Sequence, residues 1–443
     1  MTQAMKTSPT FRPHALLSFP FFALGLASFL ALTLWLALHP ALLFTAERGS
    51  QALTLAHLTI LGWLLPFVFG AAYQLIPVIA ETRLRSRGLA YAHLLLHFVA
   101  APRLFAAMLH GDFANAGRWG AVVATGVVLG VANLLVTAAR RSRWSPENIG
   151  LLFALFWLLA TVGLGVVLAM ARVTNLTTFP ADRVLRVHTV CGLLGFFLTT
   201  LIAVSFKLLP MFLLSPVRTR GRAWGAIALL HGGLLLLAPA LLFDWSAVAA
   251  VAAVAVGAAV LLFLLEAGVL IARRLRSLDW PLRSYLIGLG MLAPATGAGV
   301  LGALAGAGMP VWAPARPTLA VFVLGVFGVF TPAILGMAGK IVPFLAWQWC
   351  YADQVGRRPV PLVAELFRPA LLRAQFFLLL PAVLSFGVGL ASSSPLGVRV
   401  GAVLLLASAG TLLANVAHLA RRVRHSDSSA PSGLPGLETT VPS

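Results

Sequence analysis

Residues 57–78 read HLTILGWLLPFVFGAAYQLIPV, and the pattern returns twice. It is HTVCGLLGFFLTTLIAVSFKLLPMF over 188–212 and FVLGVFGVFTPAILGMAGKIVPF over 322–344. Aligned without gaps, Pro77, Pro210 and Pro343 stand 133 residues apart. Gly62, Gly195 and Gly328 keep the same register, as do Gln74, Lys207 and Lys340. Pro66 and Pro332 match with Thr199 between them, and Gly70 and Gly336 match with Ala203 between them. Apolar segments share composition, so weak similarity among them is cheap. A constant spacing that brings Gly, Pro and polar positions into register together is not.

Around these segments the chain is 60% hydrophobic and 10% charged over 443 residues. A soluble chain carries about 25% charged residues. Runs of about 20 apolar residues span a bilayer as helices. Twelve are expected, near 16–44, 52–80, 88–109, 116–139, 147–172, 184–212, 222–243, 245–272, 284–307, 317–348, 371–391 and 397–420. Four helices then fill each 133-residue unit. An even number per unit makes the repeats parallel, related by an axis along the membrane normal. The expected fold is an all-α polytopic membrane protein of three pseudo-symmetric four-helix arcs. The repeat glycines allow close helix contact, and the prolines are expected to bend helices 2, 6 and 10. The membrane domain is placed at 16–424, after a tail at 1–15 and before a polar, disordered tail at 425–443.

The net charge of +20 would point a soluble protein towards nucleic acid. Its placement points to topology instead. Every second loop is basic: Lys6 and Arg12; Arg83, Arg85 and Arg87; Arg140, Arg141 and Arg143; Arg218, Arg220 and Arg222. Arg273, Arg274, Arg276 and Arg283 follow, then Arg357, Arg358, Arg368 and Arg373, and lastly Arg421, Arg422 and Arg424. The intervening loops hold only Arg48, Arg118, Arg172, Arg183, Arg186, Arg316 and Arg399. This alternation follows the positive-inside rule with both termini cytoplasmic, in an inner membrane. The bilayer is the expected partner and nucleic acid is not. Cys191 and Cys350 lie at different depths, so no disulfide is expected.

Ionisable groups inside a membrane are costly and face a bundle interior or wet cavity. His57 and His188 both head a repeated segment at the outer end, and imidazole is a common metal and haem ligand. Hydrogen bonding across helices is the plainer reading. His231 on helix 7 and His93 with His97, spaced i and i+4 on helix 3, are further metal candidates or satisfied polar groups. Arg103, Arg183 and Arg186 near the outer histidines suit haem propionates. Glu266, the deepest carboxylate, is a proton-path candidate or an arginine's partner. Lys207 and Lys340 join it as ion-path candidates, or snorkel to the inner interface.

The segment from His57 to Pro77, with Gly62-Trp63 and Gly70-Ala-Ala-Tyr73-Gln74, together with His188–Phe212, resembles the haem-copper oxidase subunit I-like superfamily. The similarity is sharpest to short cytochrome oxidase subunit I-like members, and in size and architecture the chain is also similar to NnrS-type membrane proteins linked to nitric oxide stress. The resemblance implies twelve helices in three arcs, b-type haem and copper. It assigns an axial haem ligand to His57. It also implies a second axial histidine on helix 10, yet Leu319–Trp347 holds none. It implies a His-His pair and a tyrosine at a copper site. Helices 6 and 7 offer only His188 and His231. Haem would therefore pair His57 with His188 or His39, without a full oxygen-reducing centre. The implied work is electron transfer or nitric oxide or oxygen chemistry, fed by an external electron donor or a respiratory-complex subunit. A non-redox transporter, assembly factor or partner subunit on the same fold is the alternative.

Overall fold

The computed structural model describes residues 15–44, 49–141, 143–174, 179–216, 220–311 and 316–428, with only the backbone given for 424–428. Lys6, Arg12, His14, Arg48, Arg218, the side chains of Arg424 and His425, and residues 429–443 lie outside what is described.

Twelve helices are long and apolar enough to cross a membrane: α1 Leu16–Leu38, α2 Ser50–Ala80, α3 Arg87–Leu109, α4 Phe113–Ala139, α5 Pro146–Thr174 and α6 Ala181–Leu213. They continue as α7 Gly221–Phe243, α8 Ser246–Ala272, α9 Trp280–Gly306, α10 Pro317–Cys350, α11 Pro369–Ala391 and α12 Pro395–Val423. The chain is a multi-pass membrane protein. The last helix runs on to Ser428, into the segment expected to be a tail.

Neighbours in sequence pack as antiparallel pairs, α1 with α2 through α11 with α12. Contacts of α4 with α5, α8 with α9, and α12 with α1 join the three groups of four into a ring. The repeated helices fill its middle. Their most apolar windows are 56%, 61% and 67% buried for α2, α6 and α10, above every other helix. They touch one another there. Trp63 Nε1 on α2 donates to Thr331 Oγ1 on α10 at 3.1 Å. Phe69 on α2 meets Phe196 on α6, and Phe197 meets Phe330 on α10.

Each central helix is interrupted by a π turn, at Leu58–Leu64, Cys191–Leu198 and Leu324–Phe330, starting 133 residues apart. Such turns release carbonyls from the α-helical ladder and recur at functional sites. Pro66 and Pro332 follow the first and third and lack the N–H that would bond one turn back. Thr199 holds that place in α6, and the π turn forms all the same, with Thr199 Oγ1 donating to Leu194 O at 3.2 Å. Proline is therefore not what the turn requires. α2 and α6 also end alike, in left-handed residues at Glu81 (φ 54°) and Leu214 (φ 50°). Pro77 O accepts from Thr82 N and Pro210 O from Ser215 N, closing both ends in the same way.

Candidate functional site

The first turns of α2 and α6 place His57 and His188 on one cavity of about 1630 Å³, together with the ends of α3 to α5 and α7 to α10. Ordinary ligand sites occupy about 300–1,000 Å³. The cavity is mostly apolar and partly open to its surroundings, with room for a ligand larger than usual.

Its two histidines are held alike. His57 Nδ1 lies 2.8 Å from the carbonyl oxygen of Leu53, one turn back on α2. His188 Nδ1 lies 2.9 Å from the carbonyl oxygen of Thr161 on α5. A carbonyl only accepts, so both Nδ1 atoms carry the proton and both Nε2 atoms carry a lone pair. Histidine ligands of metals are oriented by this same kind of bond. No hydrogen bond to either Nε2 is formed among the described residues. The two rings are close enough to act on each other electrostatically. Gly165 makes room for His188, since a Cβ there would come within 3.2 Å of Cε1.

Charge gathers where the loops meet the cavity. Arg118, Arg172, Asp182 and Arg186 all line it. Arg186 pairs with Asp182 at 3.7 Å, and Arg172 lies over the Phe113 ring at 4.5 Å. Asp112 caps α4 by accepting the Asn115 backbone N–H at 3.1 Å and its side-chain N–H at 2.6 Å. Those two bonds hold its carboxyl below the usual carboxylate range.

Of the residues singled out in the sequence, the cavity gathers His57, His188 and Arg186. Arg183 stands beside it, paired at 3.3 Å with Asp244, which does line it. Arg103 does not line it. That side chain is exposed, donates to Val99 O at 2.6 Å and covers the Trp119 ring at 5.1 Å. His39 is exposed and also off the cavity.

The remaining histidines are packed elsewhere. His231 Nδ1 accepts from Trp157 Nε1 at 3.2 Å, which puts its proton on Nε2, and its ring stacks on Phe153. His93 and His97 are fully buried between α1, α2 and α4, with ring centroids 5.9 Å apart. Tyr73 Oη lies 2.9 Å from His93 Nδ1, and His97 Nε2 donates to Leu61 O at 2.9 Å. No group of three or more His, Cys, Asp or Glu is placed to hold a metal ion among the described residues. Glu266 accepts from Arg222 Nε at 2.6 Å. Lys340 pairs with Asp279 and faces the Phe212 ring, while Lys207 is exposed.

Thr161, Gly165, Arg118 and Arg172 are members of the site that sequence reading did not single out. Both arginines belong to the sparse set of basic residues in the base-poor loops, which was the available signal. No family model matches this sequence, and no curated protein matches it. Among solved structures the chain is similar to a heme-copper terminal oxidase dimer determined by cryo-electron microscopy, with a TM-score of 0.57 at 12% identity. The match covers 95% of this chain and 85% of that one. What the two share is the fold, a ring of membrane helices.

Proposed function

We propose that this protein binds one b-type haem near the outer face of the membrane, and that His57 and His188 are the residues that would hold it. The observation that carries the reading is the matched pair of imidazoles. Each is pinned through Nδ1 to a backbone carbonyl, each leaves Nε2 without a hydrogen bond among the described residues, and both line the same cavity. Haem fits the other donors too. The walls are mostly apolar, as a porphyrin needs, and Arg118, Arg172 and Arg186 can meet its carboxylates. The heme-copper oxidase fold raises the prior for this chemistry without supplying the site.

Bound haem held by two histidines would supply one-electron exchange, and with it electron transfer. The chain's own contribution is to hold both rings in one tautomer, to keep water out with apolar walls, and to balance two carboxylates with guanidinium groups. An external electron donor or respiratory-complex subunit belongs to this reading. Copper does not, for want of a third donor near His57 and His188 among the described residues. Glu266 and Lys340 are each engaged in an ion pair, which gives the alternative of an ion path no free deep carboxylate–lysine pair to work with. The test is haem stoichiometry by pyridine haemochrome in the purified protein. One haem per chain is expected, lost in both His57→Ala and His188→Ala and kept in His231→Phe. Full haem content in either alanine variant would overturn the assignment.

A further inference from the structure

The wall of the large cavity is built twice. Positions that line it between α2 and α6 recur 133 residues later between α6 and α10, as in Leu104 and Leu237, Val123 and Val256, or Val166 and Gly299. The polar positions do not recur as polar. Val190 stands where His57 stands, Val321 where His188 stands and Leu319 where Arg186 stands, and all three line the cavity. The packing is similar but not identical. His188 covers Gly165 on α5, whereas Val321 covers Gly299 on α9, one residue past the equivalent of Gly165, where an added Cβ would come within 3.3 Å of Val321 Cγ2. Val190 and Leu194 rest on a small apolar cluster of α7 and α8 that includes Leu237 and Ala249. The second half thus has the frame of the histidine half with its ligands and its guanidinium removed.

We propose that this second half holds the acyl chain of a membrane phospholipid. The inference rests on the cavity and its wall, and stands whether or not the first half binds haem. An apolar chamber of this size gains little by staying empty, and it lies among membrane-spanning helices, where hydrocarbon chains are the abundant solute. Where α7 ends at the cavity, the chemistry is that of a bilayer interface. Asp244 ends α7 and pairs with Arg183, and Trp245 follows with 53% of its surface exposed. A chain entering there leaves its headgroup level with that ion pair.

The test is lipid retained by the full-length protein after exhaustive detergent washing, measured by native mass spectrometry and lipid extraction. One phospholipid per chain is expected. Retention should fall at least fivefold in the double variant Gly325→Phe with Ala303→Phe, at unchanged helicity. Gly325 is chosen because an added Cβ meets nothing nearer than 3.9 Å, so the ring grows into the cavity. Equal retention in the variant, an isoprenoid quinone in place of phospholipid, or no retained amphiphile would each overturn the proposal. A measurement on the unaltered chain guards against misfolding of the variant. Phospholipid carrying a photoactivatable acyl chain should label α7–α9 at cavity residues such as Leu237 and Val256. Labels confined to the outward-facing Leu235 and Leu261 would overturn it. Lipid is read in these experiments independently of haem, so either reading can fail alone.

Discussion

His97 Nε2 donates to the carbonyl oxygen of Leu61 at 2.9 Å, and Leu61 lies inside the first π turn. The imidazole takes up a carbonyl at the place where the α-helical ladder of α2 is broken. A buried carbonyl left without a donor costs about 1–3 kcal/mol. His97→Phe is therefore expected to destabilise the protein by about that amount, read as a lower midpoint of thermal unfolding in detergent. Its haem content should not change. Loss of haem at unchanged stability would make His97 a ligand instead.

Gly165 lets His188 reach Thr161. An alanine there brings a Cβ to 3.2 Å from the His188 ring, closer than ordinary van der Waals contact. Gly165→Ala is expected to weaken haem binding several-fold, and Gly165→Leu to abolish it, both with helix content intact by circular dichroism. Gly163, two residues away and open to space, is the control, and Gly163→Ala should bind haem normally. Equal behaviour of the two alanine variants would separate His188 from the site.

The arginines divide by position. Arg118, Arg172 and Arg186 line the cavity, whereas Arg103 is held by Val99 O and Trp119 outside it. A hydrogen bond to a charged group is worth about 1.5–3 kcal/mol, or more than tenfold in affinity. Arg118→Gln with Arg186→Gln should raise the haem dissociation constant at least tenfold, by titration of the apo-protein. Arg103→Gln should leave it unchanged. The reverse order would move the carboxylates to the α3 side.

The pair Arg222–Glu266 has one sheltered partner and one wet one, with side-chain exposures of 42% and 9%. Removing the wet partner strands a buried carboxylate, while removing the sheltered one leaves an arginine that water can reach. Arg222→Ala should therefore cost about 3 kcal/mol, towards the range for an unpaired buried charge. Glu266→Gln should cost about 1 kcal/mol, near that of an exposed pair. Chemical denaturation of the two variants decides it. A larger loss for Glu266→Gln would show that the carboxylate does more than neutralise Arg222.

The twelve helices were legible because a bilayer leaves so few ways to place apolar runs separated by basic loops. The equivalence of α2, α6 and α10 was legible in Gly62, Gly195 and Gly328. The π turns were not. Leu58–Leu64 and Cys191–Leu198 share in register only Leu61 with Leu194 and Gly62 with Gly195, and the same turn forms with Pro66 after one and Thr199 after the other. Such a turn depends on what receives its carbonyls, and His97 is 36 residues away from Leu61. That His57 and His188 share one cavity was within reach from their similar depth at the heads of two repeated segments, but their tautomers hang on Leu53 and Thr161, which no pattern marks. The cavity itself was invisible, because no local pattern marks where the ends of several helices fail to meet. Arg118 and Arg172 passed as loop charges because their inward direction is set only by how α4 and α5 pack.

A reduced-minus-oxidised visible spectrum of the purified protein tests the central claim most directly. The expected result is a b-type difference spectrum at one haem per chain, with the two-imidazole signature, lost in His57→Ala and in His188→Ala alike. A folded protein that stays colourless after reconstitution with haem, or one whose spectrum survives both substitutions, would contradict it.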